Sequence, residues 1–408
     1  MANNAALVVT EITSEIQSAK RKRCDFTFSV ANKKRFIGEL GVQRVVNVVC
    51  DAIRQTDTAI IEDLNTPSLY EPLIKRVRNE STKLEKPGCL WSYKVGTQDV
   101  QAPAGSILLA TSTSGLRLGT ALSGVERYQQ RTVAGKPTPS ELWRNDVVLR
   151  KAITYLCTNA KKLNDEALSR SRLRVFCMQG HGCHYPTSFP ISIVMYVLKR
   201  EAARRADGKL HCFVDPCAGW GDRLAGALLV GKNVCQSYVG IDPWDVSQRV
   251  CAKVYALLHD DAETCSATLL QVGAQSRAAP WPDADLVFTS PPYGALECYN
   301  IDSNDASDQQ AWRLGNRFVS EFIRPLMQNA ATCTRRMRGR VIINIGNAKG
   351  AASLTSSIVE EALAAGLVHV ETFGMALSVR APKTTFAHGA PVFRGEPFFV
   401  FEHTPQST

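Results

Sequence analysis

Two consecutive prolines, Pro291 and Pro292, end the apolar run Asp285-Leu-Val-Phe288 and constrain the fold more than any other pair in the chain. Proline fixes φ and carries no N–H, so a strand entering this pair stops pairing and leaves carbonyls free to accept other hydrogen bonds. Thr289 and Ser290 precede the prolines and Tyr293 follows them, which sets hydroxyls, carbonyls and an aromatic ring at one strand end. Carbonyl acceptors beside a flat apolar face suit a planar group bearing an NH2, such as a nucleobase. Simple strand termination is the plainer alternative.

A second strand signal lies upstream. Cys212-Phe-Val-Asp215 runs into Pro216-Cys-Ala-Gly219-Trp-Gly221 and then the helical stretch Leu224–Val230. Glycines at 219 and 221 let a backbone approach a ligand closely at a strand's carboxyl end, although their spacing is not that of a dinucleotide fingerprint. A third strand, Ser237–Ile241, ends in Asp242, an acid placed to accept both hydroxyls of a ribose or to cap the following helix.

Together these blocks resemble the S-adenosylmethionine-dependent amino-methyltransferases that modify exocyclic amines of nucleobases. Asp215-Pro-Cys-Ala-Gly219-Trp-Gly221 is similar to that family's cofactor loop, with Cys217 where phenylalanine is usual. Thr289-Ser290-Pro291-Pro292-Tyr293 is similar to its catalytic block. His184-Tyr-Pro186-Thr187-Ser-Phe-Pro190, leading into Ile191–Leu198, resembles the helix that borders the cofactor, with a tyrosine inserted after the histidine. The resemblance spans roughly residues 175–405. It implies S-adenosyl-L-methionine as cofactor, held by Asp215, Pro216, Gly219, Gly221, Asp242 and Pro190, with Pro243-Trp244 flanking the adenine. It also implies Ser290, Pro291, Pro292 and Tyr293 as the catalytic residues and Glu297 and Tyr299 as lining of the base pocket. Serine at the first catalytic position is commoner in the family's N4-cytosine enzymes, and Asp or Asn in its N6-adenine enzymes.

Strands alternating with helices beyond residue 205 predict an α/β fold: a Rossmann-like, seven-stranded methyltransferase sheet with helices on both faces. After Tyr293 the pattern continues with helix around 312–330, strand Arg340–Ile345, helix near 352–365, and terminal strands near Val368–Phe373 and Pro397–Phe401 as a reversed hairpin. The interval from Gly221 to Ser290 holds only strand-helix units and leaves no room for a recognition domain. Residues 166–408 therefore read as the catalytic domain, and 1–165 as a mixed α+β basic domain that recognises nucleic acid. Helical spacing marks Ala6–Ile16, Val42–Ile61 and Asn145–Ala160, whereas the Gly-, Ser-, Thr- and Pro-rich text between about 88 and 140 reads as short strands and loops.

Charge supports that division. The chain has 48 basic and 38 acidic residues; 31 and 18 of them lie before residue 206, a net of +13 there against −3 beyond. Lys20-Arg-Lys-Arg23, Lys33-Lys-Arg35 and Lys75-Arg-Val-Arg78 are clusters of the kind that neutralise phosphates, while solvated helix faces or a nuclear address explain any one of them as well. Trp91, Tyr93, Tyr128 and Trp143 are candidates for stacking on bases, with core packing as the alternative.

Other classes are excluded by what is missing. No apolar run is long enough to span a bilayer and the start has no signal peptide, so no membrane partner is expected. Thirteen cysteines at irregular spacing argue against a disulfide framework and for an intracellular, reducing compartment, cytoplasm or nucleus. Cys177, His181, Cys183 and His184 fit no common zinc spacing, so no metal is expected. The function expected is methyl transfer to N4 of cytosine or N6 of adenine, in DNA ahead of RNA. An RNA enzyme, including one acting on cap-adjacent adenine, and a non-catalytic nucleic-acid-binding subunit of a methyltransferase pair are the alternatives.

Overall fold

The computed structural model describes residues 2–21, 26–56, 70–95, 98–111, 113–130, 136–165, 167–178, 188–260, 262–277, 281–293, 317–346, 354–377 and 392–404. The chain divides into two compact units. One comprises residues 1–64 and 124–186, the other 65–123 and 187–408.

The first unit is built from helices. Ala2–Arg21, Val30–Leu40, Val42–Gln55, Asp146–Thr158 and Arg170–Met178 contribute one apolar stripe each to a core that includes Ile12, Ile16, Phe36, Val49, Ile53, Leu149 and Ile153. A two-residue antiparallel pairing of Thr27–Phe28 with Leu168–Ser169 is the strand structure described in it. Lys33 is fully buried here, its ammonium donating to the carbonyls of Leu156 at 3.2 Å and Lys162 at 2.7 Å. Burial of an ammonium is tolerated only with such acceptors, so this lysine is withdrawn from any phosphate-binding cluster. Arg35 pairs with Glu11 at 2.7 Å on the exposed side. Tyr128 and Trp143 lie in the same core, not on a stacking surface.

The second unit carries a ten-stranded sheet. Its strands in chain order are β1 (Leu90–Val95), β2 (Gln98–Gln101), β3 (Leu108–Leu109), β4 (Phe213–Asp215), β5 (Ser237–Ile241), β6 (Ser266–Leu270), β7 (Leu286–Thr289), β8 (Arg340–Asn344), β9 (Leu367–Ala376) and β10 (Val392–His403). Spatially they run β2-β1-β10-β8-β7-β4-β5-β6, with β9 paired to β10 and β3 to β9. From β6 to β8 every neighbouring pair is parallel, and β10 then runs antiparallel to β8 and to β9. Buried on both faces, these strands need near-continuous apolar runs, which Val214, Val287, Ile342 and Ile343 supply. The chain leaves β4 toward β5 and β6, then returns to β7 on the other side of β4. That reversal opens a crevice beyond the carboxyl ends of β4 and β7.

Seven of these strands, β4 to β10, form the expected Rossmann-like sheet with its terminal hairpin reversed, but the sheet has ten strands instead of seven. The additional three come from residues 90–109: β1 pairs with β10, β2 with β1, and β3 with β9. Main-chain hydrogen bonds therefore draw residues 90–109 into the second unit's sheet. Residues 1–165 combine helices with strands as expected, and the strands of residues 90–109 belong to the second unit's sheet. Trp91 is 1% exposed and its indole lies against Gly374 and Gly395, where any Cβ would come within 2.6 Å of the ring. Tyr93 packs beside it, so both are core residues. Thr113–Gln129 is a helix where loops were expected. Its Gly115 and Gly119 carry the helix close to residues 188–192 and Asp222, an approach that a Cβ at 119 would block at 2.5 Å.

Excess charge follows the units less sharply than it follows the sequence halves. The first unit has 20 basic and 13 acidic residues, net +7, which leaves +3 on the second.

Candidate active site

The crevice is anchored by Asp215, whose side chain is 0% exposed at the end of β4. One carboxylate oxygen accepts from the Thr289 hydroxyl at 3.0 Å; the other accepts from Tyr238 at 3.0 Å and from Arg223 Nε at 2.9 Å. Asp215 thus ties together the ends of β4, β5 and β7. The Arg223 guanidinium also donates to the Cys217 carbonyl and sits 5.5 Å from the Phe189 ring centroid, which fixes the loop from below. Burial, reinforced by the Asp215 charge, pushes the Tyr238 phenol well above its ordinary range, so it stays a donor.

The loop above this anchor needs its glycines. Gly219 has φ +53° and Gly221 φ +74°, a region costly for residues with a Cβ, and Gly221 ends the loop as the N-cap of helix Asp222–Val230. A Cβ at 221 would additionally meet Val254 and Cys251 at 3.3 and 3.4 Å. Asp242, directly after β5, accepts from the N–H of Gly219 at 2.9 Å and of Trp244 at 3.1 Å. Burial pushes its carboxyl up to about 6, against the two N–H groups that favour the ionised form. Trp244 packs edge-on against Trp220, ring centroids 5.1 Å apart.

Across the crevice, β7 delivers Ser290, Pro291, Pro292 and Tyr293. The Tyr293 hydroxyl donates to Glu396 of β10 at 2.5 Å and lies within reach of the Ser290 hydroxyl. Burial first, and the Glu396 charge second, push that phenol well above its usual range, so the ring is held by a donated hydrogen bond. Asn344 closes β8, its amide Nδ2 donating to the Pro397 carbonyl at 3.1 Å.

The loop after β4, Asp242–Trp244, Ser290–Tyr293, Asn344 and Glu396 border one cavity of about 230 Å³. Of the residues expected to hold a cofactor, Pro190, Pro216, Gly219 and Asp242 reach it, as do Pro243 and Trp244 and all four residues Ser290 to Tyr293. Asp215 and Gly221 do not line it. Asp215 is spent on internal hydrogen bonds and Gly221 on the turn, so both position the cavity without bordering it. Glu297, Tyr299, His181, Cys183, His184, Pro186 and Thr187 lie outside the described residues, while Cys177 is buried in the first unit, where burial pushes its thiol up to about 12. Among the described residues no group of three metal-ligating side chains assembles, and no helix is long and apolar enough to cross a membrane.

Five polar lining residues were not singled out from the sequence as site groups: Ser188, Asp222, Arg223, Asn344 and Glu396. Asp222 accepts from the Phe189 N–H at 2.8 Å. Asn344 had a readable signal, a lone amide in the run Arg-Val-Ile-Ile-Asn-Ile345. Glu396 had none, because what places it is the pairing of β10 beside β8.

No protein-family model matches the chain, and no curated protein does. Among solved structures it is similar to TrmN from Thermus thermophilus (14% identity, 53% of this chain and 49% of that one, TM-score 0.33). It is also similar to NSun6 from Pyrococcus horikoshii (15%, 55% and 54%, 0.34) and to the magnesium protoporphyrin IX methyltransferase of Synechocystis PCC 6803 (9%, 52% and 79%, 0.31). The chain thus spans about half the length of TrmN.

Proposed function

We propose that this protein is an S-adenosylmethionine-dependent N-methyltransferase acting on the exocyclic amino group of a nucleobase in nucleic acid, at N4 of cytosine or N6 of adenine, with DNA ahead of RNA. The observation that carries this reading is convergence: the left-handed glycine at 219, the acid at 242 and the Ser290–Tyr293 block border a single cavity. The donor set fits the cofactor. Gly219 borders the cavity in a left-handed conformation that favours glycine, Asp242 offers acceptor lone pairs to a diol, and Trp244 offers an apolar wall. When bound, S-adenosylmethionine supplies an electrophilic methyl group on a sulfonium.

The protein's own part is positional and electrostatic. An exocyclic amine is a poor nucleophile because its lone pair is delocalised into the ring. The Ser290 hydroxyl and the Pro291 carbonyl accept its N–H groups, favouring a tetrahedral nitrogen whose lone pair is available. The Tyr293 ring supports the face of a base taken out of its stack. In-line placement then accounts for most of the acceleration, without a covalent enzyme intermediate. The exposed cations Lys75, Arg76 and Arg78, together with the surplus on the first unit, supply phosphate contacts.

Calorimetric titration with S-adenosylmethionine and mass spectrometry of nucleosides after incubation with mixed DNA and RNA test this directly. Methylcytosine or methyladenine in the DNA fraction is expected; failure to bind the cofactor would sink the proposal. A pH dependence follows from Asp242. Its proton is held more tightly in the folded than in the unfolded chain, so the free protein loses this contribution to stability as pH rises toward about 6. Cofactor binding runs the other way, because only the carboxylate accepts both hydroxyls. The measured affinity should weaken about tenfold between pH 7 and pH 5, and an Asp242→Asn variant should lose that dependence.

A further inference from the structure

Asn344 is 1% exposed, and its Oδ1 has no hydrogen-bond partner among the described residues. The Nδ2 bond to the Pro397 carbonyl fixes the amide's orientation, so the orphan is the oxygen and not the nitrogen. Buried side-chain acceptors are nearly always paired, and an unpaired one destabilises the fold that keeps it. Strand β8 is otherwise apolar inside, with Val341, Ile342 and Ile343 at 0% exposure, so a leucine would fill the position without that penalty. Asn344 lines the same cavity as Ser290, Tyr293 and Glu396. The register of β8 on β7 pairs Ile343 with Thr289, which puts Asn344 next to Ser290 across adjacent strands, about 4.8 Å apart in the pairing direction.

We infer that Asn344 Oδ1 is a specificity-determining acceptor that takes an N–H of the base entering the cavity. This rests on the function proposed above and deepens it. With Asn344 and Glu396, the β8–β10 side of the pocket presents acceptors, and the hydrogen of the Tyr293 hydroxyl is already committed to Glu396. An amino edge, as on cytosine or adenine, satisfies such a wall. A keto oxygen in the same place meets acceptor against acceptor and leaves both unpaired, which excludes uracil- or thymine-like bases. The site thereby selects against the keto counterpart of its own substrate at the binding step.

The test compares wild type, Asn344→Leu and Asn344→Asp. The readouts are melting temperature, S-adenosylmethionine affinity, kcat/KM on the oligonucleotide found methylated, and inhibition by the same oligonucleotide carrying the keto base at the target position. Asn344→Leu should melt no lower than wild type, bind the cofactor within twofold, and lose about ten- to a hundredfold in kcat/KM. It should also become inhibitable by the keto oligonucleotide, an effect that a merely structural role would not produce. Asn344→Asp, whose buried neutral acid donates to Pro397 and keeps an acceptor, should retain activity and keto rejection. Wild-type kcat/KM and wild-type keto rejection in Asn344→Leu would overturn the inference, as would a parallel loss of cofactor affinity. If Asn344→Leu fails to fold, loss of keto rejection in Asn344→Asp overturns it instead. Should wild type itself methylate no base, the proposed function falls; should it methylate while Asn344→Leu matches it, only this inference falls.

Discussion

Replacing Arg223 with leucine is expected to destabilise the protein by about 3–5 kcal/mol, the range found when one member of a buried ion pair is removed. Asp215 is fully buried and Arg223 is its cationic partner at 2.9 Å, so the substitution strands a carboxylate in the interior with neutral donors alone, the Tyr238 and Thr289 hydroxyls and a longer bond from the Cys217 N–H at 3.4 Å. Against a typical total of about 5–15 kcal/mol, that loss brings the fold near its threshold. The pair also closes the loop under Gly219 through the Cys217 carbonyl, so cofactor binding should fall with stability. Urea unfolding is the measurement, with a lower midpoint and an unchanged slope expected. Removing both charges, as Asp215→Asn with Arg223→Leu, should cost less than Arg223→Leu alone, because no charge is then left buried unpaired. A single-variant loss below about 1 kcal/mol, or a double variant worse than the single, would show that the pair does not carry the loop.

The second large effect belongs to Tyr293. Tyr293→Ala should lower methyl transfer about a hundredfold or more while leaving S-adenosylmethionine affinity unchanged. Stacking of a base on an aromatic face contributes about 1–3 kcal/mol, and loss of the ring also loosens the nitrogen's line of attack. Tyr293→Phe separates the two parts: it keeps the ring but deprives Glu396 of its donor at 2.5 Å, and should fall between wild type and alanine. Equal loss of transfer and cofactor binding in Tyr293→Ala would place the ring against the cofactor and not the base.

Legibility from the sequence followed the range of the interactions involved. Strands β4, β5, β7 and β8 were readable because burial on both faces demands apolar runs, and each run is punctuated by residues that cannot continue a strand. The glycines at 219 and 221 were readable because a left-handed turn before a helix tolerates few other residues. The turn motif that holds Asp215 was readable, but its contacts were not: Arg223, Tyr238 and Thr289, from three separate stretches, close over it. The aromatics Trp91, Tyr93, Tyr128 and Trp143 carry the same ambiguity, since composition does not say which face a ring presents. All four are buried.

The sequence alone determined the second unit's central parallel sheet, the turn after β4 and the block after β7, because local sterics of proline and glycine and the period of apolar residues act within a few positions. Tertiary structure decided what those features do together. Pairing of β10 with β8 brings Glu396 to Tyr293, and register between β7 and β8 sets Asn344 beside Ser290. Hydrogen bonding to β9 and β10 takes residues 90–109 into the sheet. Each of these depends on partners far apart along the chain, and a hydrogen bond has no signature in sequence until both its ends are placed.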